Sequence, residues 1–265
     1  MERARELIKP YVEKEGVIGI YLLGSMTRPY RDELSDYDIE VIVEDAVYER
    51  TPDEERQVFV FKEGAKEDGR KIIDYEFYLI PWSDFEALTE STHDLFHQPY
   101  KHAVILHDPE DRIAPIIAKL SALPEDVRRE RMTVHFLEFL YRLGRARKTA
   151  NRANEMNPGI NLRLLYGDAL SALVKLLFLA KGSWAATKHW SEQELRLLGI
   201  PEDLLARAAC LKGIPKPEEA KALVEAVRAF LDACGETFHH DMDGIQRWLF
   251  FTKDGKRAFE RWGLR

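Results

Sequence analysis

The apolar positions along the chain change period near its middle. Ala4, Leu7, Ile8, Tyr11 and Val12 recur at helical spacing, which predicts an amphipathic helix over 3–15, closed by Gly16. The apolar run VIGIYLL (17–23) reads as a buried strand, and a second strand covers 37–43 after a polar loop from Gly24 to Ser35. A third strand is expected at 58–62. KIIDYEFYLI (71–80) alternates as a strand and is stopped by Pro81. Ser83 or Asp84 is the expected N-cap of a following helix, and AVILHDPE (103–110) the last strand.

Beyond that point the pattern is helical, in segments at 111–122, 125–150, 162–181, 191–198, 202–211, 217–235 and 243–250. On the longest apolar one, Leu162, Leu165, Ala169, Ala172, Leu173, Leu176 and Ala180 form one stripe. The expected fold class is α+β: a small mixed sheet flanked by helices over 1–110, then an all-helical bundle over 111–265.

Composition narrows the function classes. A net charge of −7 disfavours a general nucleic-acid-binding surface, which is basic as a rule. The two cysteines, Cys210 and Cys234, have no metal-finger spacing and provide no disulfide framework. With a charged N-terminal segment and no apolar run long enough for a bilayer, the expectation is a cytoplasmic protein with no membrane partner.

The chemistry concentrates in LLGSMTRPYRDELSDYDIEVIV (22–43). Two residues along a strand advance roughly 6.6 Å and return to the same face, so Asp36 and Asp38 project side by side. Carboxylates forced together repel unless a cation shares them, and an oxygen donor set of this kind suits Mg²⁺. Gly24 lets backbone approach a phosphate, Ser25 adds a hydroxyl and an N–H, and Arg28 can offset phosphate charge. A blander reading is available, because residues 31–55 carry eleven acids against two bases and could be a solvated acidic surface. That reading does not account for the order strand, Gly-Ser, loop, Asp-x-Asp, strand.

Gly24-Ser25, the spacer, and Ser35 before Asp36 and Asp38 together resemble the signature of the DNA polymerase β-like nucleotidyltransferases. Among these the chain is most similar to the aminoglycoside nucleotidyltransferases of the streptomycin/spectinomycin or kanamycin type. It departs from their pattern at Thr27-Arg28-Pro29, where many members have Ala-Arg-Gly. The resemblance implies a third carboxylate on a neighbouring strand that completes the metal site or serves as general base. Asp74 and Glu76 both qualify, being two apart and so expected on one face. It also implies basic residues from the helical half on the ATP phosphates, for which Lys175 and Lys188 are the candidates.

The implied activity is Mg²⁺-dependent transfer of a nucleoside monophosphate, AMP from ATP, to a hydroxyl of a small-molecule acceptor, with release of pyrophosphate. A protein-modifying or regulatory nucleotide-binding member of a toxin–antitoxin pair is the alternative. The acceptor is open, and so is the choice between monomer and homodimer. His93, His97, His102 and His107 lack the convergence of a zinc site, and His239-His240-Asp241 reads as a polar turn. Arg128 and His135 share a helix face in the manner of a HEPN ribonuclease motif, but lie in an arginine-rich run better read as a solvated face.

Overall fold

The computed structural model describes residues 1–67, 69–152, 159–236 and 242–263. His239, His240 and Asp241 lie outside the described residues. The chain forms two compact units, Met1–Ala122 and Leu123–Arg265, and the fold is α+β.

The first unit is built on a five-stranded mixed sheet in the order β3-β4-β2-β1-β5. Its strands are β1 (Val17–Leu23), β2 (Tyr37–Val43), β3 (Gln57–Glu67), β4 (Arg70–Pro81) and β5 (Val104–His107). β2 and β4 run parallel, and the other pairings are antiparallel. Helix α1 (Glu2–Val12) precedes β1, α2 (Asp45–Arg50) and α3 (Asp53–Arg56) lie between β2 and β3, α4 (Trp82–Ala87) lies between β4 and β5, and α5 (Ile113–Ser121) follows β5.

Strand alternation sorts the side chains into two layers. Ile20, Leu22, Ile39, Val41, Val43 and Phe77 face α1 and pack with its Ala4 and Ile8. Tyr21, Leu23 and Ile42 face the other way, onto Phe85, Tyr100, Ile113 and Leu120. Because Ile113, Ile117 and Leu120 of α5 belong to this second layer, the unit runs on past residue 110 and closes at Ala122. At α4 the cap differs from expectation: Pro81 takes the N-cap position, and the Ser83 N–H donates to the Asp45 carboxylate at 3.0 Å.

The second unit is helical in all its described elements. It comprises α6 (Glu125–Asn151), α7 (Gly159–Ala180), α8 (Ser191–Leu197), α9 (Glu202–Ala208), α10 (Pro217–Ala233), α11 (Met242–Phe251) and α12 (Lys253–Trp262). Its core joins Met132, Phe136 and Phe139 of α6 to Leu162, Ala169, Leu173 and Leu176 of α7. Leu223, Val227 and Leu231 of α10 close a further side. The last helix, α12, has no counterpart among the expected segments. Its sequence is charged and contains Gly255, a weak helix former, and it is held by the Thr252 hydroxyl capping the Gly255 N–H at 3.0 Å and by burial of Ala258 and Trp262.

No helix among the described residues is long and apolar enough to cross a membrane. Cys210 and Cys234 are free thiols.

Candidate active site

The loop between β1 and β2 is tied down by its own polar side chains. Asp32 accepts from the Leu34 N–H at 3.0 Å and from the Ser35 N–H and hydroxyl at 3.1 Å. This Asx-type closure turns the chain into β2, and the nearly buried Ser35 serves it as a brace. From β3, Lys62 donates to the carbonyls of Glu33 at 2.5 Å and Ser35 at 3.1 Å. It thereby pins the loop and places a cation whose charge stabilises ionised Asp36.

Asp36 and Asp38 leave this turn on one sheet face, and Glu76 stands opposite Asp38 on the adjacent parallel strand β4. One carboxylate oxygen from each of Asp36, Asp38 and Glu76 lies within 4.8 Å of the others, and all three side chains are half-buried. Hard oxygen donors at this separation fit a divalent cation of the Mg²⁺ type. Burial, the hydrogen bond with Glu76 and the charges of Asp36, Glu76 and Glu40 push the Asp38 carboxyl up to about 8. Burial also raises Asp36, helped by Glu76 and opposed by Lys62.

Asp74 does not join them. The β3–β4 register shifts by one between Tyr75↔Val60 and Ile73↔Phe61, so Asp74 is the extra residue of a bulge. An inserted residue breaks the two-residue alternation. Asp74 instead forms an ion pair with Arg3 of α1, whose guanidinium also lies 5.8 Å from the Tyr37 ring. The expectation that Asp74 and Glu76 share a face is therefore corrected, and Glu76 is the acid beside the pair.

Gly24 lies at φ +73° directly against Asp38, where an added Cβ would overlap the carboxylate. Its conformation and its missing side chain are thus both required by the acidic cluster. Ser25 opens a 3₁₀ turn, Ser25–Thr27, with its residue partly exposed. Arg28 is nearly buried rather than extended to solvent. Its guanidinium donates to the Thr27 hydroxyl at 2.9 Å, which donates in turn to the Gly24 carbonyl at 2.8 Å. This chain holds the shape of the Gly-Ser turn.

Lys175 and Lys188 belong to the helical unit. Lys188 is exposed beyond α7. Lys175 is half-buried in α7, close enough to His135 for its charge to disfavour the imidazolium. Arg128, on the same helix as His135, is engaged by Glu125 at 2.7 Å and Glu236 at 2.5 Å. In the sheet unit the His97 ring nitrogens meet the Leu120 and Ser91 carbonyls at 2.8 and 2.7 Å, a structural role for that histidine.

A fourth acid completes the cluster. Glu40 follows Asp38 by two residues, on the same face, and accepts a hydrogen bond from the Tyr21 hydroxyl. Tyr100 approaches the same hydroxyl at 3.5 Å. Burial pushes Glu40 up to about 7, and the Tyr21 and Tyr100 hydroxyls work against that rise. The alternation Asp36, Asp38, Glu40 is the signal in the sequence that identifies it. On the other flank, burial and the hydrogen bond to Glu76 push the Tyr78 hydroxyl up to about 12.

Comparison with known proteins adds little to this geometry. Residues 89–191 match the family described as "Domain of unknown function (DUF4037)", a stretch that begins after Glu76. No curated protein matches the chain. A solved structure of a nucleotidyltransferase-like protein from Exiguobacterium sibiricum is 16% identical, covers 97% of this chain and 77% of that one, and superposes with a TM-score of 0.45. A likeness that distant leaves the function to be argued from the chain's own residues.

Proposed function

We propose that the protein is a Mg²⁺-dependent nucleotidyltransferase that moves a nucleoside monophosphate, AMP from ATP, to a hydroxyl of a small-molecule acceptor of the aminoglycoside type. The observation that carries this reading is the convergence of Asp36, Asp38 and Glu76 within 4.8 Å beside a glycine that the cluster itself requires. Four acids on one face raise each other's energy, and they gain by sharing a cation that also binds a polyphosphate. The resemblance of Gly24-Ser25 and Asp36-x-Asp38 to the nucleotidyltransferase signature points the same way.

In the proposed reaction the acceptor oxygen bonds to the α-phosphorus of the nucleotide, the α–β bridging bond breaks, and pyrophosphate leaves. A bound divalent ion supplies charge neutralisation at the phosphates. Asp36, Asp38 and Glu76 are the residues that would hold it. Ser25, at the start of the 3₁₀ turn, offers its hydroxyl and N–H to a phosphate oxygen, while Arg28 and Thr27 keep that turn in shape. The proton of the acceptor hydroxyl passes to a carboxylate of the cluster acting as general base. The negative field of the four acids favours a cationic acceptor.

The test is pyrophosphate release from ATP and Mg²⁺ across a panel of aminoglycosides, other hydroxyl-bearing antibiotics and proteins. Release with an aminoglycoside, lost without Mg²⁺, is the expected result. Labelling of a protein with no small-molecule turnover would replace the acceptor assignment, and no turnover with any acceptor would overturn the enzymatic one.

A further inference from the structure

From the transferase reading, on which the assignment rests, we infer that Phe59 and Tyr78 form the ring site of the acceptor. They make an aromatic corner beside Glu76 that stacks a saturated, amine-bearing six-membered ring of the aminosugar or aminocyclitol class.

The strand registers set the side chains in rows. Leu23 of β1, Asp38 of β2, Glu76 of β4 and Phe59 of β3 are successive partners across the sheet, and β3 is its edge. Cross-strand partners share a face, and neighbouring strands lie about 4.8 Å apart. Phe59 therefore stands one strand beyond Glu76 and two beyond Asp38. In the adjoining row Glu40, Tyr78 and Gln57 follow one another. The Tyr78 hydroxyl donates to Glu76 and accepts from the Gln57 side chain, which holds that ring at its outer end. The Phe59 and Tyr78 rings meet edge to face, with centroids 6.2 Å apart and planes at 87°. Phe59 still leaves 43% of its surface in solvent.

The direction of transfer decides what occupies this corner. Attacking and leaving oxygens lie roughly in line across a phosphorus undergoing transfer. Gly24 and Ser25, on the phosphate side, follow β1 on one flank of Asp38, and Gly24 lies against its carboxylate. Pyrophosphate leaving toward that turn requires the acceptor oxygen to arrive from the opposite flank, over Glu76 and β3. A ring whose hydroxyl reaches the phosphorus from there lays its carbon–hydrogen face toward Phe59. Its ammonium groups are drawn by the four acids and by the negative face of the phenyl ring. The same strand displays the second attraction within the protein, where Lys71 lies over the Phe61 ring at 5.5 Å.

The test is calorimetric titration of kanamycin, streptomycin and spectinomycin onto the full chain loaded with Mg²⁺ and an ATP analogue whose α–β bridging oxygen is a methylene, so that no transfer occurs. At least one should bind saturably to the wild type. Phe59→Ala should weaken that binding about tenfold, and Phe59→Trp, which keeps an aromatic face, should hold it within about twofold. Should the alanine variant fold poorly, Phe59→Leu removes the aromatic face with little loss of volume. Pyrophosphate release from ATP, followed in parallel, reports on the transferase reading alone. Turnover by the wild type with unaltered acceptor affinity in Phe59→Ala would overturn the ring site and leave the transferase standing. Binding that depends on the Phe59 ring, with no turnover, would do the reverse. Absence of binding to the wild type, or a tenfold loss in affinity for the nucleotide analogue in place of the acceptor, would also overturn the ring site.

Discussion

Each unit draws a set of charged side chains wholly or partly out of water, and the two sets differ in the one property that decides what such a set is for. In the helical unit Arg131, His135 and Glu138 are 2%, 0% and 2% exposed, and their signs are mixed. Glu138 meets the His135 ring at 3.4 Å, and Arg131 lies over the Trp184 and Trp262 rings at 5.3 and 5.0 Å. In the sheet unit Asp36, Asp38, Glu40 and Glu76 share one sign, with Lys62 as the cation that acts on Asp36. A mixed buried set can compensate itself within the fold. A set of one sign costs stability wherever it is not neutralised from outside, so its persistence points to a ligand.

The largest expected effect breaks the acidic side of the comparison. Asp36→Asn or Asp38→Asn should lower pyrophosphate release by about 10²–10³-fold, several kcal/mol of lost charge stabilisation. Turnover near wild type in either variant would remove the metal site. At pH 9, above the raised Asp38 value, the same Asp38→Asn change should raise the stability of the metal-free protein by about 1–2 kcal/mol, because it deletes one of the mutually repelling charges. On the helical side the opposite is expected. Glu138→Ala should destabilise by about 3–5 kcal/mol in urea unfolding, since it deletes the buried acid that meets the His135 ring and that balances the buried Arg131 charge within the set. If both substitutions shift stability in the same direction, the distinction between the two sets fails.

pH should separate the units as well. The folded carboxyls of Asp38, at about 8, and Glu40, at about 7, sit above their ordinary values. The folded sheet unit therefore holds more protons than the unfolded chain, and without metal its stability falls as pH rises from about 4 to about 8. Burial lowers His135 below the ordinary histidine value, and the charges of Arg131 and Lys175 add to that against the opposing pull of Glu138. There the unfolded chain binds more protons, so this contribution is complete above about 6.5 and is lost as pH falls below it. Hydrogen exchange at pH 5.5 and 8 should show the β2 and β4 amides relatively better protected at the lower pH and the α6 amides at the higher. His135→Leu should flatten the second trend, and saturating Mg²⁺ the first.

How much of this the sequence discloses depends on whether the cause is local. β1, β2 and β4 are legible because their apolar runs and two-residue alternation state both the strand and its faces, and the paired placement of Asp36 and Asp38 follows from them. Glu40 is legible as a member of that alternation. That Tyr21 and Tyr100 close over it is not, since Tyr100 arrives from a separate segment. α12 escapes pattern reading because Gly255 and its charges give it little intrinsic helicity, and tertiary packing of Trp262 makes up the difference. The end of the first unit at Ala122 has the same character: the periodicity of α5 is plain, but not which core its Ile113 and Leu120 enter.

The bulge at Asp74 is the clearest case of a fact absent from local sequence, and it yields the smallest and most discriminating prediction. Asp74 and Glu76 have the same chemistry, the same strand and the spacing that ordinarily shares a face; one unpaired residue in the ladder sends the first to Arg3 and leaves the second beside Asp38. The Arg3 side chain is 54% exposed, so that ion pair is a partly screened surface contact. Asp74→Asn should therefore cost only about 0.5–1 kcal/mol of stability and leave pyrophosphate release within about twofold, a change of under half a kcal/mol in the barrier. Glu76→Gln, an equally small change of atoms, should remove turnover and the rise in melting temperature that Mg²⁺ produces. If the two variants exchanged these outcomes, the third acid would be Asp74, and the bulge would have to straighten when nucleotide binds.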